Sequence, residues 1–294
     1  MKITMGIDSK ERATMVADVI KAFRFNTPQI DVVHVTESWS DAPYTAVNRQ
    51  NPDLITRYIE MIDDEAKRLL TAVKDLLTKR EFAEVKTHHL KGFITNKLLE
   101  HAENTCSDLL AISSSGKGPI EGILVGSVAR KATIASKRSV LVVKQPLSQG
   151  KPLTVVLATD HSPYSKRCIE EFERWASNGV ARLVVTTVYS KEVVKAMGSV
   201  VGNLKADVDG WIRSELEDAN QEVCKRLKGL GAESKSRVES GSVGDTLALV
   251  MKEEQADLLV VGAQGHGFIE RLTLGSISLD QVVKHPYSVL IVRV

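Results

Sequence analysis

The sequence reads Ala256-Asp257-Leu258-Leu259-Val260-Val261 near its end, a short apolar run of the kind that forms a buried strand. The same pattern occurs at an offset of 149 residues as Ser107-Asp108-Leu109-Leu110-Ala111-Ile112. Two more pairs of segments share this offset: Leu124-Val125-Gly126-Ser127 with Thr273-Leu274-Gly275-Ser276, and Ser139-Val140-Leu141-Val142-Val143 with Ser288-Val289-Leu290-Ile291-Val292. A series of matches at one offset indicates that one domain has been duplicated.

The beginning of each copy gives a further match. Gly6-Ile7-Asp8-Ser9 corresponds to Ala158-Thr159-Asp160-His161 at an offset of 152. We therefore predict a first domain over residues 1–148 and a second domain over residues 151–294. The segment from Gln145 to Pro152 is rich in Pro, Gly and Ser, as expected of a linker.

Short apolar runs alternate with longer amphipathic stretches in each copy. In the second copy we predict strands at 154–158, 182–189, 234–239, 257–261 and 289–292, and helices at 165–176, 211–227 and 245–253. The pair Gly244-Asp245 resembles a helix N-cap, and the stretches 37–53 and 191–208 read as variable loops with partial helix. Runs that are apolar on both faces and joined by helices predict a parallel sheet covered on both sides, an α/β fold.

Composition excludes several classes of protein. The 294 residues include 39 Lys and Arg and 37 Asp and Glu, and only 5% are aromatic, so nucleic acid is not an expected partner. The three cysteines, Cys106, Cys168 and Cys224, are too few and too far apart for a disulfide framework or a CxxC metal site. His88 and His89 are neighbours on a strand pattern and point to opposite faces, so they cannot chelate one metal together. We predict no metal site.

The chain also lacks the usual signals for export. No apolar signal-peptide core follows Met1, and no apolar run reaches the roughly 18 residues of a membrane helix. We expect a cytoplasmic protein without membrane partners.

The glycine-rich segment after residue 260 carries the functional prediction. Val261 and Gly262 are followed by Gly265 and His266, and Gly275-Ser276 precedes a helical stretch. A Gly-Ser pair at a helix start presents backbone N–H groups and a hydroxyl to an anion, and phosphate is the usual occupant. Asp160 follows the first strand of this copy and lies at the same edge of a parallel sheet, where ligands bind. It could accept a hydrogen bond from an adenine amine or a ribose hydroxyl.

The spacing Gly262-x2-Gly265-x9-Gly275-Ser276 matches the motif of ATP-binding universal stress proteins, and both halves resemble this family. The resemblance implies two doubly wound, Rossmann-like domains, each with a five-stranded parallel sheet of order 3-2-1-4-5. It also implies that the last strands of the two domains pair across a pseudo-twofold axis. By the same resemblance Asp160 and Val188 contact adenine, the motif glycines and Ser276 contact ribose and phosphates, and Val261, His266 and Ile277 are neighbours.

The first copy departs from the motif. It reads Ser113-Ser114-Ser115-Gly116 and then Gly126-Ser127, so Ser113 replaces the first glycine. A side chain where the backbone must approach a ligand, or must adopt a positive φ, blocks or reshapes the site. The candidate residues of this copy are Asp8, Ser113, Gly116, Gly126 and Ser127, and we expect the second domain to bind nucleotide more tightly.

We predict a stress-response regulatory module that binds ATP or a related adenine nucleotide, with Mg²⁺ as the counter-ion of the phosphates. No GxxxxGK[ST] sequence occurs and no nucleophile and base can be assembled, so catalysis is at most a slow ATPase. Several alternatives remain open. The glycines could be turn residues only, and Asp8 and Asp160 could be helix caps. The chain could also be a nucleotide-free adaptor for protein partners or a small-molecule enzyme. The two domains form a pseudo-dimer, and further dimerisation is possible.

Overall fold

The computed structural model describes residues 1–25, 27–37, 52–114, 125–147, 152–175, 179–201, 207–264 and 274–294. Both domains alternate strands with helices, as their sequence patterns predict. The elements of domain 1 are β1 Lys2–Ile7, α1 Lys10–Phe23, β2 Gln29–Thr36, α2 Pro52–Lys79, β3 Glu84–Lys91, α3 Ile94–Asn104, β4 Leu109–Ser113, α4 Ser127–Ala135 and β5 Ser139–Val143. Those of domain 2 are β6 Leu153–Ala158, α5 Pro163–Trp175, β7 Val180–Tyr189, α6 Lys191–Val201, α7 Val208–Leu227, β8 Glu233–Ser240, α8 Val243–Glu253, β9 Leu258–Gly262, α9 Ser276–Lys284 and β10 Ser288–Val292, with a 3₁₀ turn at Lys228–Leu230.

The predicted elements of domain 2 are present, with ends that differ by up to three residues. The partial helix expected after the second strand is α6, whereas residues 38–51 of domain 1 lie outside the described ranges. The proposed cap at Gly244-Asp245 is wrong, because α8 begins at Val243 and its N-cap is Ser242. Asp8 does not cap α1 either, since the N-cap is Ser9, whose hydroxyl accepts from the Arg12 N–H.

All ten strands belong to one sheet of order β3-β2-β1-β4-β5-β10-β9-β6-β7-β8. Each half has the predicted order 3-2-1-4-5, and every pair within a half is parallel. β5 and β10 pair antiparallel, with Leu141 opposite Leu290. The prediction that the last strands pair within one chain is therefore confirmed.

The apolar residues of the central strands point alternately to two layers of core. One layer contains Leu141 and Leu290 and is covered by α1, α2, α5 and α7. The other contains Val140 and Val289 and is covered by α4, α8 and α9. Both layers contain residues of the two domains, and Val33, Val35 and Leu98 form a separate small cluster between β2 and α3. Burial on both sides accounts for strands that are apolar on both faces. Within the described ranges, no helix has the length and hydrophobicity needed to cross a bilayer.

Polar contacts repeat across the β5–β10 junction with pseudo-twofold symmetry. The Lys144 N–H donates to the Ser288 hydroxyl at 3.2 Å, and the Arg293 N–H donates to the Ser139 hydroxyl at 2.9 Å. Because these residues correspond at the offset of 149, each strand end is held by the same type of bond.

The side chains of the two basic residues also cross the junction. Lys144 Nζ donates to the backbone oxygens of Val282 and His285 at the end of α9. Arg293 donates to the Thr133 carbonyl in α4 at 2.9 Å. Carbonyls at a helix C-terminus lack intrahelical partners, so these cations satisfy groups that burial would otherwise leave unpaired. Burial lowers the pKa of Lys144 from 10.5 to about 7.

We expect the free energy of unfolding of the parent to rise between about pH 7 and pH 10 more steeply than that of Lys144→Met. In this window the unfolded chain binds a proton on Lys144 that the folded chain lacks, so stability increases with pH. Urea unfolding at several pH values measures the two slopes, with Lys137→Met as the control, because Lys137 is an exposed lysine paired with Glu103. Equal slopes for the parent and Lys144→Met would show that the ammonium stays charged on its carbonyl acceptors.

Candidate functional site

A cavity of about 430 Å³ opens at the carboxyl ends of β6, β7 and β9 in domain 2. It lies at the point where the strand order reverses between β6 and β9, the position at which open α/β sheets bind ligands. Its apolar wall comes from Val188, Val243, Leu247, Val261 and Ile277. Hydroxyl groups, one carboxylate and backbone amides supply the polar contacts, a mixture typical of small-molecule sites.

The cavity brings together most of the residues predicted for domain 2. Seven of them line it: Asp160, Val188, Val261, Gly262, Gly275, Ser276 and Ile277. Gly265 and His266 lie outside the described residues, as does Gly116 of domain 1. The sequence motif thus predicts residues that meet at one place although they are more than 100 positions apart.

The start of α9 forms one side of the cavity. Gly275 is the N-cap, its N–H donates to the Ala263 carbonyl at 2.7 Å, and the Ser278 hydroxyl donates to the Gly262 carbonyl at 2.7 Å. These two bonds fix the helix against the end of β9. Gly275 has no side chain with which to cap α9, and the first-turn N–H groups of a helix, here those of Ser276 and Ile277 at the cavity, are the kind of donor that binds an anion.

Asp160 lies in a tight turn between β6 and α5. Its Oδ1 accepts from the Ser162 N–H at 3.0 Å, and the Ser162 hydroxyl accepts from the Ser165 N–H at 3.1 Å. The Thr159 and Ser165 hydroxyls are 2.7 Å apart beneath this turn. The carboxylate is therefore positioned by its own turn at the wall of the cavity, and it also orders the residues that precede α5.

A buried polar cluster supports the turn from below, and the sequence analysis missed it. His161, with φ +57°, places Nε2 3.0 Å from Asn220 Oδ1, and the Thr187 hydroxyl donates to the same oxygen at 2.8 Å. Because an amide oxygen only accepts, Nε2 of His161 carries the hydrogen. Burial lowers the pKa of His161, so the ring stays neutral. Asn220 is 59 residues from His161, and no local pattern joins them.

The reason for glycine at position 262 differs from the expectation. Neither Gly262 nor Gly275 has a positive φ, and Gly275 has φ −62°. A Cβ on Gly262 would lie 3.2 Å from the Gln264 carbonyl oxygen, 3.3 Å from Cys168 Sγ and 3.4 Å from Tyr164 Cε1, so close packing around the strand end favours the glycine. Burial raises the pKa of both Cys168 and Tyr164 to about 12, so neither is a nucleophile at neutral pH.

The corresponding region of domain 1 has a similar backbone and different contacts. Gly126 is the N-cap of α4 with φ −71° and ψ 159°, close to the conformation of Gly275, and Ser127 follows it. The Gly126 N–H donates to the Ser114 hydroxyl at 2.9 Å, whereas the Gly275 N–H donates to the Ala263 carbonyl. Asp8 is exposed and forms an ion pair with Arg12, which competes with any ligand for that carboxylate. Ser113 ends β4 opposite Val143.

The sequence model of the Universal stress protein family matches residues 1–144 and 153–293. Universal stress protein MJ0531 of Methanocaldococcus jannaschii is 30% identical over 145 residues, which is 49% of this chain and 79% of that protein. A universal stress protein from Archaeoglobus fulgidus has a similar structure, with a TM-score of 0.66 and 18% identity over 99% of this chain and 98% of its own. The functionally unknown protein PA1789 of Pseudomonas aeruginosa gives a TM-score of 0.61 and 12% identity, over 99% and 92% of the chains.

We expect Asn220→Ala to lower the free energy of unfolding by about 3 kcal/mol. It leaves Thr187 and His161 without their shared acceptor and frees the Val185 and Arg237 carbonyls, to which the Asn220 amide donates. Chemical denaturation measures the change. The matched control is Gln221→Ala, because Gln221 is the next residue of α7, is exposed, and should change stability by about 0.5 kcal/mol or less. A comparable loss in both variants would mean that the cost does not come from the hydrogen bonds of the cluster.

Proposed function

The chain belongs to the universal stress protein family, and from that premise we propose that it is a regulatory module whose second domain binds ATP or a related adenine nucleotide. The observation that carries the proposal is the cavity in domain 2, where the motif residues converge at the strand switch point. Its volume of about 430 Å³ lies within the range of small-molecule sites. A role in the cytoplasm is part of the same proposal.

The charges around the cavity favour one orientation of the nucleotide. Asp160 is the only acidic or basic side chain among the described lining residues, and a carboxylate repels phosphate. The phosphates therefore belong at the N-terminus of α9, where N–H groups and the helix dipole favour negative charge. Asp160 then accepts from a hydroxyl or amine of the nucleoside. Mg²⁺ would balance the charge of a triphosphate.

The described residues of the cavity do not form a catalytic set. His161 lies beside Asp160, but its Nε2 is engaged by Asn220 and Thr187. Cys168 and Tyr164 lie beneath the strand end in their protonated forms. A nucleophile, a base and an orienting group within hydrogen-bond reach are needed for efficient hydrolysis. Binding without rapid turnover is therefore the function that this arrangement supports best.

One helix connects the proposed nucleotide to the domain junction. The first residues of α9 line the cavity, and the last carbonyls of α9 accept from Lys144 of domain 1. A nine-residue helix is about 13 Å long and moves as a rigid unit. A ligand that shifts the start of α9 therefore acts on the Lys144 contacts at its end, which gives the nucleotide a physical route to regulate the chain.

We expect Gly275→Val to abolish measurable ATP binding while the protein stays folded. A Cβ at this position already lies 3.3 Å from the Ala263 carbonyl, and the two further methyl groups crowd the N–H groups that face the phosphates. Each charge-assisted hydrogen bond lost is worth about 1.5–3 kcal/mol, or one to two decades of affinity. Ser276→Ala removes one hydroxyl and keeps the backbone donors, so it should weaken binding less. Calorimetry measures both affinities.

Gly126→Val is the matched control, because Gly126 is the corresponding N-cap and a Cβ there meets nothing within 4 Å. It should bind ATP like the parent, and circular dichroism checks the folding of every variant. If folded Gly275→Val binds ATP as tightly as the parent, the phosphates do not bind at this turn. A parent protein that neither binds nor carries adenine nucleotide, judged by chromatography of the denatured chain, would favour the nucleotide-free adaptor.

A further inference from the structure

A second group of chemically active side chains lies in domain 1, far along the sheet from the cavity. Asp31 of β2, His88 of β3 and His101 of α3 place their ligand atoms within 4.8 Å of one another. His101 Nε2 is 3.3 Å from Asp31 Oδ2, and His88 Nε2 is 3.6 Å from Asp31 Oδ1. Among the described residues, this is the one group of three or more His, Cys, Asp or Glu side chains close enough to surround an ion.

The separations match those of a small transition-metal site. Zinc binds imidazole nitrogen and carboxylate oxygen at about 2.0–2.2 Å, so tetrahedral ligands lie about 3.3 Å from one another. His101 Nε2 is at this distance from Asp31 Oδ2, and His88 Nε2 is 3.6 Å from the other oxygen, Oδ1, so the two histidines flank one carboxylate. His88 Nε2 is also buried and has no hydrogen-bond partner among the described residues, which leaves its lone pair or its hydrogen unused beside a carboxylate.

The fold itself does not require polar residues at two of these three positions. Domain 2 has Val184, Arg237 and Val250 where domain 1 has Asp31, His88 and His101. His88 and His101 correspond to Arg237 and Val250 by the offset of 149. Asp31 corresponds to Val184 because Asp31 pairs with Lys86 and Val184 pairs with Lys235, the residue 149 positions after Lys86. Val184 and Val250 are fully buried in the core of domain 2. Burying a carboxylate and an imidazole at positions where domain 2 has valine costs free energy of folding. The fold alone therefore does not explain these polar residues.

We propose that Asp31, His88 and His101 bind a divalent transition-metal cation of the zinc class, with water in the remaining position. Two imidazoles and one carboxylate are ligands suited to zinc, and three protein ligands leave one position open. The His88 side chain is 34% exposed although its Nε2 is buried, so the three residues lie close below the protein surface. The ammonium of Lys2 lies 3.5 Å from Asp31 Oδ2 and competes with the metal for this oxygen. Because the Lys2 side chain is partly exposed, it can turn away when the ion binds.

The test is calorimetric titration of the untagged, chelator-treated full chain with Zn²⁺, and with Co²⁺ as an optical probe. We expect one ion per chain at micromolar or lower concentration and visible Co²⁺ bands of a four-coordinate site. His88→Gln and His101→Gln should each weaken Zn²⁺ binding at least tenfold. Lys2→Met should strengthen it several-fold, because it removes the competing charge.

The matched control is His89→Gln. His89 is the next residue of the same strand, but it points to the other face, where its Nε2 contacts the Thr36 hydroxyl at 2.9 Å. It should leave Zn²⁺ affinity unchanged. The proposal is overturned if the parent takes up no Zn²⁺, if both His88→Gln and His101→Gln bind it like the parent, or if His89→Gln loses as much affinity as His88→Gln. Because the site is in domain 1, none of these results depends on nucleotide binding in domain 2.

Discussion

The antiparallel pairing of β5 with β10 is the constraint on which the rest of the molecule depends. Each domain ends in a five-residue strand that is buried along its whole length, and such an edge is unstable in water. Pairing the two edges satisfies their backbone groups and joins two sheets into one. The register that places Leu141 opposite Leu290 also aligns both core layers and brings Lys144 to α9. A shift of one residue would reverse every side chain of the strand.

The duplication and the strands could be predicted from the sequence pattern because it occurs twice, whereas the strand order came from the resemblance to the family. Matches at one offset predicted the duplication, and apolar runs predicted the strands, but the helix starts were less certain. The periodicity of apolar residues shows which face of a helix is buried, but the residue at which the helix begins depends on local hydrogen bonds. For this reason the sequence placed the start of α8 at Gly244-Asp245, whereas its N-cap is Ser242. The motif and the family resemblance together named seven of the residues that line the cavity, but not Val243 or Leu247. They did not predict the contact between His161 and Asn220, because that contact exists only when α7 packs on the sheet.

The two domains share a fold and have diverged in chemistry. In domain 2 the polar residues gather at the carboxyl ends of the strands, around the start of α9. In domain 1 the corresponding carboxylate, Asp8, is bound by Arg12, and a different polar group is buried between the outer strands and α3. A homodimer carries every change twice, once in each subunit. In a chain that contains both domains, one domain can change while the β5–β10 junction stays the same. Two different ligand sites can therefore evolve in one continuous sheet.

The position of β10 in the chain has a consequence for synthesis on the ribosome. The strands of domain 1 are complete once residue 143 has emerged, but the partner of β5 is β10, about 145 residues later in the chain. At about 5–20 residues per second, the apolar edge of β5 waits about 7 to 30 seconds for its partner. During that interval it can pair with the same edge on a neighbouring nascent chain of a polysome. A premature stop before β10 would make this exposure permanent, so even a short C-terminal truncation favours aggregation over a stable half-protein.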